Sequence, residues 1–148
     1  MRVEFRPEPG CGEPYLVLVA EERSGETDAL MAKLSGLGTG PLPGRRGDEA
    51  RLLGPEEVLR FYGGTKEVFA HCADGSEWQL RERLYELEER FCPGGAFLRI
   101  SNSEIVNVKR VTGLDLSLAG TIRMTLDGEV VCYVSRRYVK KIKKALGI

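Results

Sequence analysis

The feature that most restricts the fold of this 148-residue chain is a change of hydrophobic period after Phe97. Beyond that point apolar and polar residues alternate, and tight-turn signals stand at Ala119-Gly120 and Asp127-Gly128. Successive strand side chains point to opposite faces, so a period of two indicates strands with one buried face. The chain is therefore predicted to form an antiparallel β-meander here, with these inward residues: Leu114, Leu116, Leu118, Ile122, Met124 and Leu126.

Short helices are predicted before and after this meander. A helical spacing of apolar residues runs from Leu80 to Phe91, where Pro93-Gly94-Gly95 ends it. Residues 138–146 can form a second helix with lysines on its outer side. Strand and turn signals between residues 50 and 75, including Asp74-Gly75, predict hairpins. The predicted fold class is mostly β with short helices.

The chain is about long enough for one domain, and its N-terminal part has a different character. Residues 15–20 form a short apolar run that predicts a strand, and residues 24–37 carry a cap and helical spacing. Residues 36–47 are rich in Gly and Pro, which indicates a linker. We predict a strand-helix segment with its linker over residues 1–48, as a dimerisation element, and the main domain over residues 49–148.

The sequence shows no catalytic, metal-binding or cofactor-binding machinery, so we predict a protein that is not an enzyme. The four cysteines lie far apart in sequence and the chain has one histidine, which argues against a zinc site. His71 and Cys72 are adjacent in a predicted strand and would point to opposite faces. There is neither a phosphate-binding glycine motif nor a signal-peptide or membrane-spanning stretch, which predicts a cytoplasmic location.

Charge is distributed unevenly although the net charge is zero. Residues 1–96 carry 12 basic and 18 acidic side chains, whereas residues 97–148 carry 10 basic and 4 acidic ones. A basic C-terminal third suits a polyanionic partner such as nucleic acid. A solvated lysine face that binds nothing explains the same composition.

Two polar stretches in this basic third have side chains that suit DNA. Ser101, Asn102 and Ser103 interrupt an apolar framework, and Ser135-Arg136-Arg137 follows a predicted strand. Arginine can bind guanine N7 and O6 with two hydrogen bonds, asparagine can do the same with adenine, and serine and lysine suit phosphates. Surface loops of an unrelated β protein would also carry such residues.

Three blocks in order resemble the LytTR family of bacterial DNA-binding domains: residues 84–89, 97–107 and 134–140. The resemblance covers residues 49–148 and implies short antiparallel sheets whose loops enter the DNA major groove. Asn102 and Arg137 match the family positions that lie at the DNA. A further family position falls in an early hairpin near Thr65, Lys66 and Glu67. The 48 preceding residues are too few for the receiver domain of many members.

The resulting hypothesis is a sequence-specific regulator of transcription that binds double-stranded DNA. Asn102 and Arg137 would contact bases, and these residues would contact the DNA backbone or shape the loops: Lys66, Ser101, Ser103, Lys109, Ser135, Arg136, Lys140 and Lys141. A homodimer is expected, and the family resemblance implies an inhibitory membrane protein as a partner. The alternative is a non-enzymatic module that binds a protein or ligand through the basic third.

Three neighbouring residues have competing structural interpretations. Arg99 can either contact DNA or pair with a carboxylate, and Asn107 can satisfy backbone groups in the turn before Lys109. Tyr138 is expected to pack beneath the arginine loop rather than to touch DNA.

Overall fold

The computed structural model describes residues 1–37 and 41–148 and contains two antiparallel sheets and three helices. The helices are α1 (Gly25–Leu37), α2 (Leu84–Phe91) and α3 (Arg136–Leu146). The strands are β1 (Leu42–Arg46), β2 (Glu49–Leu53), β3 (Val58–Gly63), β4 (Val68–Cys72), β5 (Glu77–Leu80), β6 (Phe97–Arg99), β7 (Glu104–Asn107), β8 (Val111–Asp115), β9 (Ile122–Leu126) and β10 (Val130–Val134). Single 3-10 turns at Pro55–Glu57, Val108–Arg110 and Asp127–Glu129 join strands that are consecutive along the chain. None of the helices in these ranges is both long and apolar enough to cross a membrane.

The larger sheet has the order β2-β1-β5-β4-β3-β7-β6, and the smaller sheet has the order β10-β9-β8. The larger sheet lies between two hydrophobic cores. On one face it packs against α2, where the rings of Phe61, Phe91 and Phe97 lie with centroids 5.4 to 5.5 Å apart. On the other face Leu59 and Val106 pack against the smaller sheet and Ile142 of α3.

Strands β3 and β7 are therefore buried on both faces. Val58 and Ile105 enter the core under α2, whereas Leu59 and Val106 enter the core under α3. A register shift between Val58 and Arg60 marks an irregularity in the β3–β4 pairing. Burial on both faces fixes the register of these strands, because a slip by one residue would move every side chain to the wrong core.

The predicted fold class is confirmed, and so are several of its elements. Strands β8, β9 and β10 form the expected meander, and β4 and β5 pair as a hairpin around Asp74-Gly75. The C-terminal helix is present and begins at Arg136.

Two N-terminal predictions are wrong. Residues 15–20 form no strand: most of them are exposed, and an apolar run without a pairing partner does not stay extended in a sheet. The predicted linker contains β1, which pairs with β2 and β5. Gly44 has a packing role there, because a Cβ atom would lie 2.7 Å from the Trp78 Cβ. The predicted boundary at residue 48 falls in the β1–β2 turn, and Gly38–Gly40 of the linker lie outside the described residues.

Two other boundaries also differ from the prediction. Leu80 ends β5, where it pairs with Val68, so the helix begins only at Leu84. Leu116 and Leu118 are 50% and 41% exposed, because β8 already ends at Asp115. The Asp115 carboxylate accepts a hydrogen bond from the Ser117 amide at 2.9 Å, and this turn ends the strand.

Asn107 is the one polar side chain in the described part of the chain that is fully buried, at 4% exposure. Its Nδ2 donates to the Val58 carbonyl at 2.9 Å, and its Oδ1 accepts from the Lys109 amide at 3.1 Å. The structural interpretation of Asn107 is confirmed, since its amide ties β7 to the start of β3.

We expect Asn107→Ala to lower the free energy of unfolding by about 2 kcal/mol, because it leaves a buried acceptor and a donor without partners. Equilibrium unfolding in urea measures the change. Asn102→Ala is the matched control, since Asn102 is exposed and its loss should change stability by less than about 0.5 kcal/mol. Equal losses for the two variants would contradict the role assigned to Asn107.

Candidate nucleic-acid interface

The loop at residues 100–103 joins β6 to β7 and is built from short polar residues on a buried anchor. Ile100 is fully buried, and its amide donates to the Glu104 carbonyl at 3.0 Å. The Ser103 amide donates to Ser101 Oγ at 3.1 Å, and the two serine hydroxyls lie 3.3 Å apart. The serines thus close the loop on itself and leave the exposed Asn102 at its tip.

This loop lies against the start of α3. The Ser135 amide donates to the Ile100 carbonyl at 2.9 Å, and the Ser135 hydroxyl approaches the same oxygen at 3.4 Å. Ser135 is the residue before the helix and has an extended backbone. The two polar stretches that the sequence separates by more than thirty residues are therefore joined by a backbone hydrogen bond.

Asn102 and Arg137 meet at Tyr138. The Tyr138 hydroxyl donates to Asn102 Oδ1 at 3.4 Å, and the Arg137 guanidinium carbon lies 5.5 Å from the centre of the Tyr138 ring. Asn102 and Arg137 are exposed, whereas Tyr138 is half-buried against the core under α3. The structure thus brings together the two side chains for which the sequence predicts base contacts.

The β3–β4 turn at residues 64–67 is the third loop of this surface. The Gly63 amide donates to the Ser103 carbonyl at 3.0 Å, which joins the turn to the loop at residues 100–103. A side chain at Gly63 would overlap the Glu67 carbonyl oxygen, so the tight turn requires glycine there. Lys66 is exposed in this turn. Residues 135–138 are Ser135 and the first turn of α3, so the structure places the two arginines on a helix and not in the loop that the sequence predicts. We call residues 64–67, 100–103 and 135–138 together the three-loop surface, in which the last segment is this strand-to-helix junction.

Helix α3 extends this surface with positive charge. It contains Arg136, Arg137, Lys140, Lys141, Lys143 and Lys144 and no acidic residue. All six side chains are exposed, and none forms an ion pair within 4.0 Å in residues 1–37 and 41–148. Arginines of the larger sheet differ, since Arg51 and Arg60 bind nearby carboxylates. The cations of α3 are therefore available to an external polyanion.

Arg136 and Lys109, which the sequence predicts as contacts to the DNA backbone, lie in different parts of the fold. Arg136 lies over the β8–β9 turn, where a Cβ at Gly120 would be 3.1 Å from its Nε. Lys109 follows the far end of β7, which is about 13 Å from Ser103 at the usual rise of a strand. The structure therefore does not bring Lys109 to the three-loop surface, because β7 separates the two positions.

A half-buried cluster around Arg60 joins the two sheets next to the three-loop surface, since Glu104 directly follows Ser103. Arg60 of β3 donates to Glu104 Oε2 at 3.1 Å and to His71 Nδ1 at 3.2 Å, and it reaches Cys132 of β10 at 3.6 Å. Burial and the Arg60 charge lower the pKa of His71. Burial raises the pKa of Cys132 to about 12, so its thiol is protonated at neutral pH. His71 and Cys132 are structural in this arrangement.

The four cysteines are free thiols and form no disulfide among the described residues. Cys11, Cys72, Cys92 and Cys132 are free, and burial raises the pKa of Cys72 and of Cys92 to about 11. Among the described residues no group of three His, Cys, Asp or Glu side chains is placed to hold a metal ion.

Two residues contribute to the surface in ways that local sequence does not show. Tyr138 packs beneath the arginines as expected, but its hydroxyl also contacts Asn102. Arg99 pairs with Glu88, as its structural interpretation predicts, and also donates to the carbonyls of Ser101 and Asn102. Arg99 stands two residues before Ser101, but this spacing alone does not predict the contact with the loop carbonyls.

The fold and the sequence match known proteins. A LytTr DNA-binding domain from Bacillus cereus superposes with a TM-score of 0.69, at 21% identity, over 75% of this chain and all of that domain. Proteins from the Staphylococcus aureus strains NCTC 8325 and COL are 39% identical over 100 residues, and each is named an uncharacterized HTH-type transcriptional regulator. The match spans 68% of this chain and 66% of the length of each of these relatives.

The family model of the LytTr DNA-binding domain matches residues 48–147, which is more than half of the chain. This range contains the complete three-loop surface and β2 to β10, which are nine of the ten strands in residues 1–37 and 41–148. The chain therefore belongs to the LytTR family of DNA-binding domains.

Proposed function

We propose that the protein regulates transcription by binding a specific double-stranded DNA site through the three-loop surface. The observation that carries this proposal is the meeting of exposed Asn102 and Arg137 at Tyr138, at the start of a helix whose cations form no ion pairs in the described chain. The staphylococcal relatives are named transcriptional regulators, which supports the same function.

In this proposal the loops at residues 64–67 and 100–103 enter the major groove together with the first turn of α3, which carries Arg137. Consecutive helices of the described fold are separated by five strands each, so the arrangement differs from a helix-turn-helix. Arg137 reads a guanine edge, because its planar guanidinium can donate to both N7 and O6. Asn102 contacts a neighbouring base or phosphate, with its Oδ1 already bound by Tyr138.

The remaining polar groups hold the DNA backbone in place. Lysines contact phosphates without reading sequence, and the N-terminus of α3 favours an anion through the helix dipole. The proposed backbone contacts on or beside the three-loop surface are Lys66, Ser101, Ser103, Ser135, Arg136, Lys140 and Lys141. Lys109 is left out because it lies beyond the far end of β7.

The proposed assembly is a homodimer that acts in the cytoplasm by binding rather than by catalysis. Residues 15–19 expose Tyr15, Leu16, Val17 and Val19, which a second copy could cover. Two joined domains would reach repeated half-sites on one face of DNA. The family resemblance adds an inhibitory membrane protein as the proposed partner.

We expect Arg137→Ala to remove most of the preference for the specific site. A bidentate contact to a base is worth about 1 to 3 kcal/mol of discrimination. A duplex enriched by the wild-type protein from a randomised library serves as the specific site, and a shuffled duplex serves as the reference. Gel-shift titrations give both affinities. Equal losses on the two duplexes would show that Arg137 does not read a base.

Lys140→Ala should weaken binding to both duplexes by the same factor. It should also reduce the slope of log affinity against log salt concentration by about one, because one phosphate contact is lost. Titrations at several salt concentrations measure the slope. Lys109→Ala is the matched control and should leave the slope unchanged. A preserved slope in Lys140→Ala would remove Lys140 from the DNA contact.

Light scattering on the full chain at micromolar concentration tests the dimer. We expect the mass of two chains for the wild type and the mass of one chain for Val19→Asp, since a charge in the apolar contact is costly. A wild-type protein of single-chain mass would contradict the dimer and leave the DNA-binding proposal intact.

A further inference from the structure

Arg99 holds the DNA-facing loop by its backbone. Its Nε donates to the Ser101 carbonyl at 3.0 Å, and its Nη2 donates to the Asn102 carbonyl at 2.7 Å. Its Nη1 lies 3.4 Å from Glu88 Oε1 on α2. The Arg99 side chain is 15% exposed, so these contacts form in a largely desolvated position. The guanidinium thus connects α2 to two consecutive peptides of the loop.

With Arg99 in place, every carbonyl of residues 100–103 accepts a hydrogen bond from a donor outside the loop. Ile100 is bound by Ser135, and Ser103 is bound by Gly63. The two carbonyls between them, those of Ser101 and Asn102, are bound by Arg99. The peptide of Asn102 is therefore fixed in the free protein, and its side chain is oriented before DNA arrives.

Glu88, the carboxylate that pairs with Arg99, lies on a helix that is packed into the core. Glu88 lies on α2, whose Leu84, Leu87 and Phe91 are buried in the core under that helix. The three contacts require a planar group with donors pointing in different directions, which arginine has and lysine lacks. A lysine could keep the attraction to Glu88 but could not span both carbonyls with the same geometry.

We propose that Arg99 is a positioning residue for DNA specificity, which it provides by orienting Asn102 without contacting DNA. This inference rests on the proposed function, because it assigns the source of selectivity within the same surface. Since Arg99 faces the loop backbone and not a phosphate, its loss should change selectivity and leave the salt dependence of binding unchanged.

The chain provides a matched control in Arg110. Its Nε and Nη2 donate to the Glu56 carbonyl at 3.3 and 2.7 Å, and its Nη1 donates to Asp127 Oδ2 at 3.1 Å. Arg110 makes the same kinds of contact as Arg99, but it follows the end of β7 that is remote from the three-loop surface. The variants Arg99→Lys and Arg110→Lys therefore compare the same chemical change at opposite ends of the β6–β7 hairpin, since Arg99 ends β6 beside the loop and Arg110 follows the far end of β7.

The first measurement needs no DNA. Amide hydrogen exchange at Gly63 and Ser135 reports the loop, because both amides donate to its carbonyls. We expect Arg99→Lys to accelerate exchange at these two amides by about tenfold relative to Arg110→Lys, through local opening of the loop. Unchanged protection in Arg99→Lys would overturn the inference, whatever the protein binds.

The second measurement compares affinity for the enriched duplex with affinity for the shuffled duplex. We expect Arg99→Lys to lower this ratio by about tenfold, within the range of one base contact, with the salt slope of the wild type. The ratio should stay within about twofold of the wild type in Arg110→Lys. An unchanged ratio in Arg99→Lys, or an equal fall in both variants, would overturn the inference. A wild-type protein without preference would instead overturn the proposed function.

Discussion

The hydrogen bond from the Ser135 amide to the Ile100 carbonyl joins the two segments on which Asn102 and Arg137 lie. The two segments come from different sheets, since Ile100 follows β6 of the larger sheet and Ser135 follows β10 of the smaller one. The position of this hydrogen bond is fixed by burial, because Ile100 and Val134, the residue before Ser135, lie in the core under α3. Hydrophobic packing thus determines where two exposed polar side chains meet.

The basic side chains fall into two groups, one paired with carboxylates inside the fold and one exposed on α3. Arginines that hold the fold together are paired, as in Arg60 with Glu104 and Arg110 with Asp127. The cations of α3 are exposed, and within the described residues they have no acidic partner at ion-pair distance. In the proposed function, long-range attraction to phosphates comes from α3, whereas the paired arginines maintain geometry. Arg99 belongs with the paired arginines even though it lies beside the loop at residues 100–103.

The sequence predicted those parts of the molecule that depend on local pattern. Alternation identified β8 to β10, and the polar residues at 101–103 and 135–137 identified two of the three segments of the three-loop surface, although the second of them is the start of α3 and not a loop. Sequence patterns failed where strand pairing between distant segments determines the structure. Gly44 has the sequence context of a linker residue, yet the close approach of Trp78 requires a glycine there. Residues 15–20 have the composition of a strand but lack a pairing partner. The contacts of Tyr138 and Arg99 with the loop could not be predicted, because they depend on how α3 and α2 pack.

The most direct test of the three-loop surface follows backbone amide NMR signals during titration with the enriched duplex. We predict that the shifts concentrate at residues 64–67, 101–103 and 136–141, which lie together in the structure although they are distant in sequence. The amides of Lys109 and of the β1–β2 hairpin should change little. Shifts confined to the N-terminal segment or the β1–β2 hairpin, with the three loops unaffected, would contradict a DNA-binding surface built around Asn102 and Arg137.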